Sequence, residues 1–207
     1  KPLIAYTIEA AKNAKSITKV VVSTDDETIA KVAKEHGAEV PFLRPKEMAQ
    51  DNSLGIDAYL YTIDKLKKDY GSEHDYFIVL LPTSPFRTGE DIDNAVKIFN
   101  EKNADSVISV KESPCPPSWF LKIGENGVVS GLFDNDVKLK NRQEEAKTYV
   151  PNGAIYVLKK SLLEKIRTYY SDKTFPYIMS DESSTDIDYL IDFKFAEFLM
   201  KDKEIRI

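Results

Sequence analysis

Short uninterrupted apolar runs alternate along this chain with segments whose apolar positions recur every three to four residues, a repeating strand-and-helix rhythm. The opening segment, with Leu3, Ile4, Ala5, Ile8, Ala10, Ala11 and Ala14, predicts a helix with Pro2 in its first turn. Thr18 to Ser23 carries Val20-Val21-Val22 and predicts a strand; Thr24-Asp25-Asp26-Glu27 then has the Thr-x-x-Glu spacing of a capping box. The helix it starts is expected to bury Ile29, Val32 and Ala33 and to close at Gly37, and Glu39 to Leu43 completes a βαβ unit as a second short strand. A helical turn near Lys46 to Ala49, a polar loop at Gln50 to Ser53, and a helix from Leu54 to Tyr70 with Ile56, Leu60, Ile63 and Leu66 on one face come next. Tyr76 to Leu81 is apolar without alternation, the pattern of a strand covered on both faces, and is expected at the centre of the sheet. A helix begun by Thr88 buries Ile92, Ala95, Val96 and Phe99, and Ala104 to Val110 is a further strand. An apolar strand after the Pro151-Asn152-Gly153 turn, a helix at Ser161 to Tyr169 and a last helix at Tyr189 to Met200 end the series. The rhythm predicts an α/β fold, Rossmann-like, with a mostly parallel sheet, right-handed crossovers and helices on both faces.

Between Lys111 and Thr148 the rhythm breaks into prolines, the single tryptophan, a Gly124-Glu125-Asn126-Gly127 turn and a charged run from Lys138 to Glu145. The expected organisation is a main domain over 1–110 and 149–207 with an insertion at 111–148 that carries a small hairpin. Trp119, Phe120, Leu132 and Phe133 in that insertion are covered either by a second subunit or by folding back on the chain's own core.

At 207 residues and 42% hydrophobic composition, the chain suits one well-cored domain plus that insertion. A net charge of -5 with no basic stripe argues against a nucleic acid partner and for a small ligand. No stretch approaches the roughly 20 apolar residues of a membrane span, and the opening Pro2 to Ile8 run is too short for a signal peptide. The lone Cys115 makes no internal disulfide, which fits a reducing cytoplasm. Pro82 and Pro85 stop the Tyr76–Leu81 strand, delivering Thr83, Ser84 and Arg87 to the carboxyl end of the sheet, where ligands bind in open α/β folds; two hydroxyls and a guanidinium there suit an anionic, hydroxyl-bearing ligand. Asp186 and Asp188 are two apart, so an extended segment projects both to one side, as a grip on Mg²⁺ requires; on spacing alone, capping of the last helix by Thr185, Asp186 or Asp188 is the commoner use of such residues. Arg44, between a strand end and Pro45, can reach a base, ribose or phosphate, or make a surface ion pair. No Gly-x-Gly-x-x-Gly or Walker-type loop is present, and His36 and His74 have no spacing for a metal or a triad.

Taken in order, Lys1-Pro-Leu-Ile-Ala-Tyr-Thr-Ile-Glu-Ala, Ser23-Thr-Asp-Asp-Glu, Leu43-Arg-Pro, Asp51-Asn-Ser, Leu81-Pro-Thr-Ser-Pro-Phe-Arg, Pro151-Asn-Gly-Ala-Ile-Tyr and Asp186-Ile-Asp188 resemble the N-acylneuraminate cytidylyltransferases, or CMP-sialic acid synthetases. The resemblance implies the nucleotide-diphospho-sugar transferase fold and a cytidylyltransferase that joins CTP to a nine-carbon α-keto sugar acid. The same resemblance makes Asp186 and Asp188 the Mg²⁺ ligands and catalytic pair, and sets Arg44, Ser53, Pro82, Thr83 and Ser84 around the CTP. Leu81, Arg142, Asn152 and Tyr156 then face the sugar acid, with Tyr169 and Tyr170 offered by the neighbouring subunit of a homodimer built on the 111–148 insertion. It also places a first strand and a Gly-rich phosphate loop ahead of Lys1. Leu81 stands where sialic acid synthetases usually have Gln and Val150 where they have Arg, and the Pro116–Ser118 stretch has no Lys; each departure removes a polar contact, so the resemblance leaves the sugar open between N-acetylneuraminic acid and legionaminic, pseudaminic or another related acid. A nucleotide-binding module without turnover, or a nucleotidyltransferase for another sugar, is the alternative.

Overall fold

The computed structural model describes residues 1–50, 52–133 and 145–202. Its sheet has four strands in the order β1 (Tyr76–Val79), β5 (Tyr149–Lys159), β2 (Ser106–Glu112) and β6 (Thr174–Ile178). β5 runs antiparallel to both β1 and β2, whereas β6 is parallel to β2. Three strands therefore share one direction, and the expectation of parallel neighbours fails at β5, an eleven-residue strand that lies between β1 and β2. Its position also moves β1 from the expected centre to an edge, half-buried, while Val107, Ile108, Ile155, Val157 and Leu158 of β2 and β5 form the buried middle.

Helix α4 (Gly89–Glu101) packs Ile92, Ala95, Val96 and Phe99, with Ala10 of α1 (Leu3–Asn13) and its C-cap Ala14, against one side of the sheet. On the other side, Ile56 of α3 (Gly55–Tyr70) and Leu163 of α5 (Lys160–Ile166) meet Leu158. A third cluster joins Ile8 to Ala30 and Ala33 of α2 (Glu27–Glu35), with Ala38 and Val40 beyond it. The two strands expected around α2 reduce to one parallel bridge, Val21 with Glu39, in which the Val22 and Glu39 amides donate to Glu39 and Val20 carbonyls at 2.9 Å. Thr24 does not cap α2. Asp26 does, its Oδ1 accepting from the Ile29 amide at 2.8 Å, while Thr24 Oγ1 accepts from the Asp26 amide. The helix packs Ala30 and Ala33 inward and leaves Ile29, expected to be buried, exposed.

β6 is a strand where sequence pattern shows only an aromatic segment, because it contains Pro176; on the outer edge of the sheet the missing amide costs no ladder bond. α5 ends at Ile166, short of the expected Tyr169, where Arg167 adopts a left-handed conformation at φ 54° and reverses the chain. The insertion forms the expected hairpin, β3 (Leu121–Ile123) with β4 (Val129–Gly131), closed by the Gly127 amide on the Gly124 carbonyl. Trp119, Phe120, Leu132 and Phe133 are all exposed on it rather than folded back on the core. The last helix, α6, runs Leu190–Lys201. Among the described residues no helix is long and apolar enough to cross a membrane.

Candidate active site

Asn152, Gly153 and Ala154 lie inside β5 instead of in a turn before it. Ile108 pairs with Tyr156 and Val110 with Pro151, so two steps along β2 oppose five along β5 and the excess bulges out of the ladder. Ser109 fills the gap: its buried hydroxyl donates to Asn152 Oδ1 at 2.6 Å and accepts the Ile155 amide at 2.7 Å. Asn152 Oδ1 also accepts the Ala154 amide, and Asn152 Nδ2 donates to Ser184 Oγ at 2.8 Å. The Asn152 side chain, 4% exposed, is thus spent on bridging the bulge to the segment before Asp186, so the structure makes it a scaffold residue beneath the site and does not turn it to an open face.

The bulge aims Gly153, at φ +75°, into the space where three distant parts of the chain meet. A Cβ there would sit 3.2 Å from Leu81 Cδ1, 3.6 Å from Asp186 Oδ2 and 3.8 Å from Ser84 Oγ. The Pro82–Ser84 turn follows β1 at its carboxyl end, and Asp186 follows β6 at its own, so parallel strand direction carries both to one edge. The Ile187 amide donates to the Thr83 carbonyl at 2.9 Å and locks the two segments together. Ser84, fully buried, leaves Oγ without a partner, and Asp186 Oδ1 is likewise buried and unpartnered. Buried polar atoms are normally satisfied, so two orphaned side chains beside Gly153 mark a place for a polar ligand.

Helix capping does not occupy the aspartates. The N-cap of α6 is Tyr189, and Asp192 inside the first turn accepts the Asp188 and Tyr189 amides at 3.2 and 2.8 Å. Asp186 is half-buried and Asp188 exposed, with both carboxylates outside that arrangement.

Arg87 departs from its expected role at the ligand face. It is 3% exposed and donates to the Ala154 carbonyl at 2.6 Å, to the Leu81 carbonyl at 2.9 Å and to the Thr7 hydroxyl, with burial lowering its pKa to about 10. It clamps α1, the turn and β5 together from below.

Tyr156, on β5 beyond the bulge, packs against Tyr169 of its own chain, with ring centroids 5.3 Å apart and planes tilted by 47°. The reversal at Arg167, with the Tyr169 carbonyl accepting Ser106 Oγ at 2.6 Å, draws the loop back onto its own sheet. Burial raises the Tyr156 pKa above the usual tyrosine range, helped by Tyr169, Tyr170 and the nearby Asp186 carboxylate. Tyr170 is exposed beside them.

Of the other expected residues, Arg44 is held by its own amide on the Thr24 carbonyl at 2.7 Å and has a buried, unpartnered Nε. The Ser53 hydroxyl is used locally, donating to the Glu47 carbonyl and accepting the Gln50 amide. Pro82 is exposed at the crest of its turn. Arg142 lies outside the described residues. Two surface hollows, one along α2 and Leu43 and one between α1 and α4, contain none of these residues. Gly153 and Asp192 are not legible in sequence as site residues: Pro-Asn-Gly has the composition of a turn, and the part played by Asp192 shows only once the helix start is known.

A family model described as cytidylyltransferase matches residues 1–206. The N-acylneuraminate cytidylyltransferase of Escherichia coli O18:K1:H7 is 35% identical over 204 residues, 98% of this chain and 47% of that protein; the chain spans about half that relative's length. The CMP-N,N'-diacetyllegionaminic acid synthase of Legionella pneumophila is 38% identical over 206 residues, 97% of this chain and 86% of that one. Among solved structures, a CMP:2-keto-3-deoxy-manno-octonic acid synthetase complexed with CTP superposes with a TM-score of 0.67 at 16% identity, covering 97% of this chain and 88% of its own, a likeness of fold.

Proposed function

The chain belongs to the cytidylyltransferase family, and from that premise we propose that it activates a nine-carbon α-keto sugar acid, sialic acid or a related nonulosonic acid, with CTP, giving the CMP-sugar and pyrophosphate. The observation that carries this reading is the convergence of Leu81, Ser84 and Asp186 around the side-chain-free Gly153 at the carboxyl end of the sheet.

In this reading the sugar's anomeric hydroxyl attacks the α-phosphorus of CTP in line. A new P–O bond forms, the bond from the α-phosphorus to the bridging oxygen breaks, the hydroxyl proton passes to water, and pyrophosphate departs. Both reactants are anions, so their alignment is the chief demand on the protein. The Pro82–Ser84 turn, fixed by the Ile187–Thr83 bond and the Arg87 clamp, provides a rigid lip for the nucleotide. The orphaned Ser84 hydroxyl supplies a donor to a phosphate or ribose oxygen, and the unpartnered Arg44 Nε a cationic one. On the far side, Tyr156 and Tyr169 offer an aromatic wall with hydroxyls for a polyol.

Asp186 and Asp188 are proposed as the residues that hold Mg²⁺. The buried, unsatisfied Asp186 Oδ1 and the gap left by Gly153 fit a small hard cation. Among the described residues no group of three or more His, Cys, Asp or Glu could hold a metal, and Mg²⁺ characteristically takes one or two carboxylates and fills its shell with water and phosphate oxygens. When bound, the ion neutralises phosphate charge along the displacement. A homodimer is proposed through the apolar hairpin β3–β4.

The test is ³¹P nuclear magnetic resonance of CTP and Mg²⁺ with sialic, legionaminic and pseudaminic acids in turn. Conversion of the triphosphate signals into one CMP phosphodiester and pyrophosphate, with at least one acid, is expected. CTP left intact with every acid, though bound, would replace this reading with a nucleotide-binding module.

A further inference from the structure

We propose that Ser184 is a positioning residue for Asp186, held in place by a buried hydrogen-bond chain that starts at Ser109. The inference rests on the proposed function for the Mg²⁺ that Asp186 meets, and on hydrogen bonds alone for how Asp186 is held.

Asp186 stands in a stretch without regular structure, between β6, which ends at Ile178, and α6, which starts at Leu190. The Ser184 and Thr185 amides bond within the loop, to the Ser180 and Glu182 carbonyls, which shapes the loop without attaching it to the sheet. Attachment comes from a tether on each side of Asp186. On one side the Ile187 amide donates to the Thr83 carbonyl at 2.9 Å. On the other the Ser184 hydroxyl, fully buried, accepts Asn152 Nδ2 at 2.8 Å. The buried Asp186 Oδ1 has no partner to hold it, so the carboxylate takes its place beside Gly153 from these neighbours.

The direction of the Ser184 tether is set on the sheet. An amide nitrogen donates and an amide oxygen accepts, so each end of Asn152 suits a different partner. Its Oδ1 accepts the Ala154 amide at 3.2 Å and the Ser109 hydroxyl at 2.6 Å, and Ser109 Oγ accepts the Ile155 amide at 2.7 Å. Backbone donors thus fix the oxygen end on the bulge. The nitrogen end has to face Ser184, with Met179 Sδ at 3.3 Å beside it. Ser109 and Ser184 are 0% exposed and Asn152 4%, so water does not replace a lost member of the chain.

Ser184→Ala removes the hydroxyl and with it the tether. Loss of one hydrogen bond corresponds to about a two- to tenfold change, and a ligand binds more weakly by the fraction of molecules whose site is out of place. We expect the affinity for Mn²⁺, read from the electron paramagnetic resonance of the free ion, to fall by that factor. Ser106→Ala is the comparison, because it removes another fully buried serine hydroxyl of β2, one bonded to the Tyr169 carbonyl and Thr174 and outside this chain. Both variants should lower the thermal midpoint, and Ser184→Ala alone should weaken Mn²⁺ binding. A readout that needs neither metal nor substrate is hydrogen exchange of the Ile187 amide, the other tether. Exchange is expected to quicken by the same factor in Ser184→Ala and to keep its wild-type rate in Ser106→Ala. Unchanged exchange in Ser184→Ala, equal quickening in Ser106→Ala, or wild-type Mn²⁺ affinity in Ser184→Ala would overturn the proposal. No Mn²⁺ bound by wild type, alongside quicker exchange in Ser184→Ala alone, overturns the metal reading of Asp186 and not its positioning.

Discussion

Gly153 shows how much rests on one absent side chain. A left-handed φ costs a non-glycine residue roughly 1–2 kcal/mol, and here a methyl group would also press on Leu81 and approach Asp186 Oδ2. Gly153→Ala is expected to lower unfolding free energy by about 2 kcal/mol in denaturant titration and to depress turnover beyond what the unfolded fraction explains. Arg87 is the opposite case. Its sequence position, one turn past a strand end, is that of a ligand-binding guanidinium, and only its 3% exposure and its carbonyl partners reveal a buried clamp. Nothing in residue order distinguishes an arginine that points out from one that points in. Asp186 and Asp188 were legible as a pair from their spacing. The choice between capping and ligand binding waited on Asp192, which serves the helix itself.

At the scale of elements, periodicity located the helices well, because amphipathic stripes are written locally, and their ends shifted by a few residues where the competing cap or the left-handed residue was a tertiary choice, as at Asp26 and Arg167. Strand direction was not legible: β5 looks like any apolar run, and its antiparallel placement depends on the insertion that brings the chain back from the other end. The bulge at Asn152–Ala154 was read as a turn because Pro-Asn-Gly is turn chemistry; Ser109, forty-three positions away, makes it a bulge instead. β6 is joined to α4 by the Tyr177 hydroxyl donating to Asp91 Oδ1 at 2.8 Å. Burial and that bond raise the Tyr177 pKa from 10.0 to about 12. A raised folded-state pKa favours the neutral phenol in the native state, so the contribution is complete below pH 10 and is lost as pH rises towards 12. Unfolding free energies measured across that window should fall more steeply for wild type than for Tyr177→Phe; parallel slopes would show that the bond does not contribute.

For the whole molecule, exposed apolar side chains gather in two places among the described residues: on the insertion, where Leu121, Ile123, Val128 and Val129 are between 54% and 75% exposed beside Trp119 and Phe120, and at the start of α6, where Tyr189, Leu190 and Ile191 are between 69% and 74% exposed. Exposed apolar patches mark interaction surfaces, and the one on the hairpin motivates the proposed homodimer. Leu121 and Ile123 share one face of β3, so Leu121→Glu with Ile123→Lys should convert a sedimenting dimer into a monomer with an unchanged circular dichroism spectrum. A monomeric wild type at micromolar concentration would refute the dimer. The central claim, that Asp186 and Asp188 make this site a catalyst and not only a nucleotide binder, is tested most directly by pyrophosphate release at saturating CTP for wild type and Asp188→Ala, with CTP affinity measured on both. Removal of a carboxylate proposed to hold Mg²⁺ should cut turnover by about 100-fold or more while the folded variant still binds CTP within roughly tenfold of wild type. Equal turnover in the two proteins would contradict the claim.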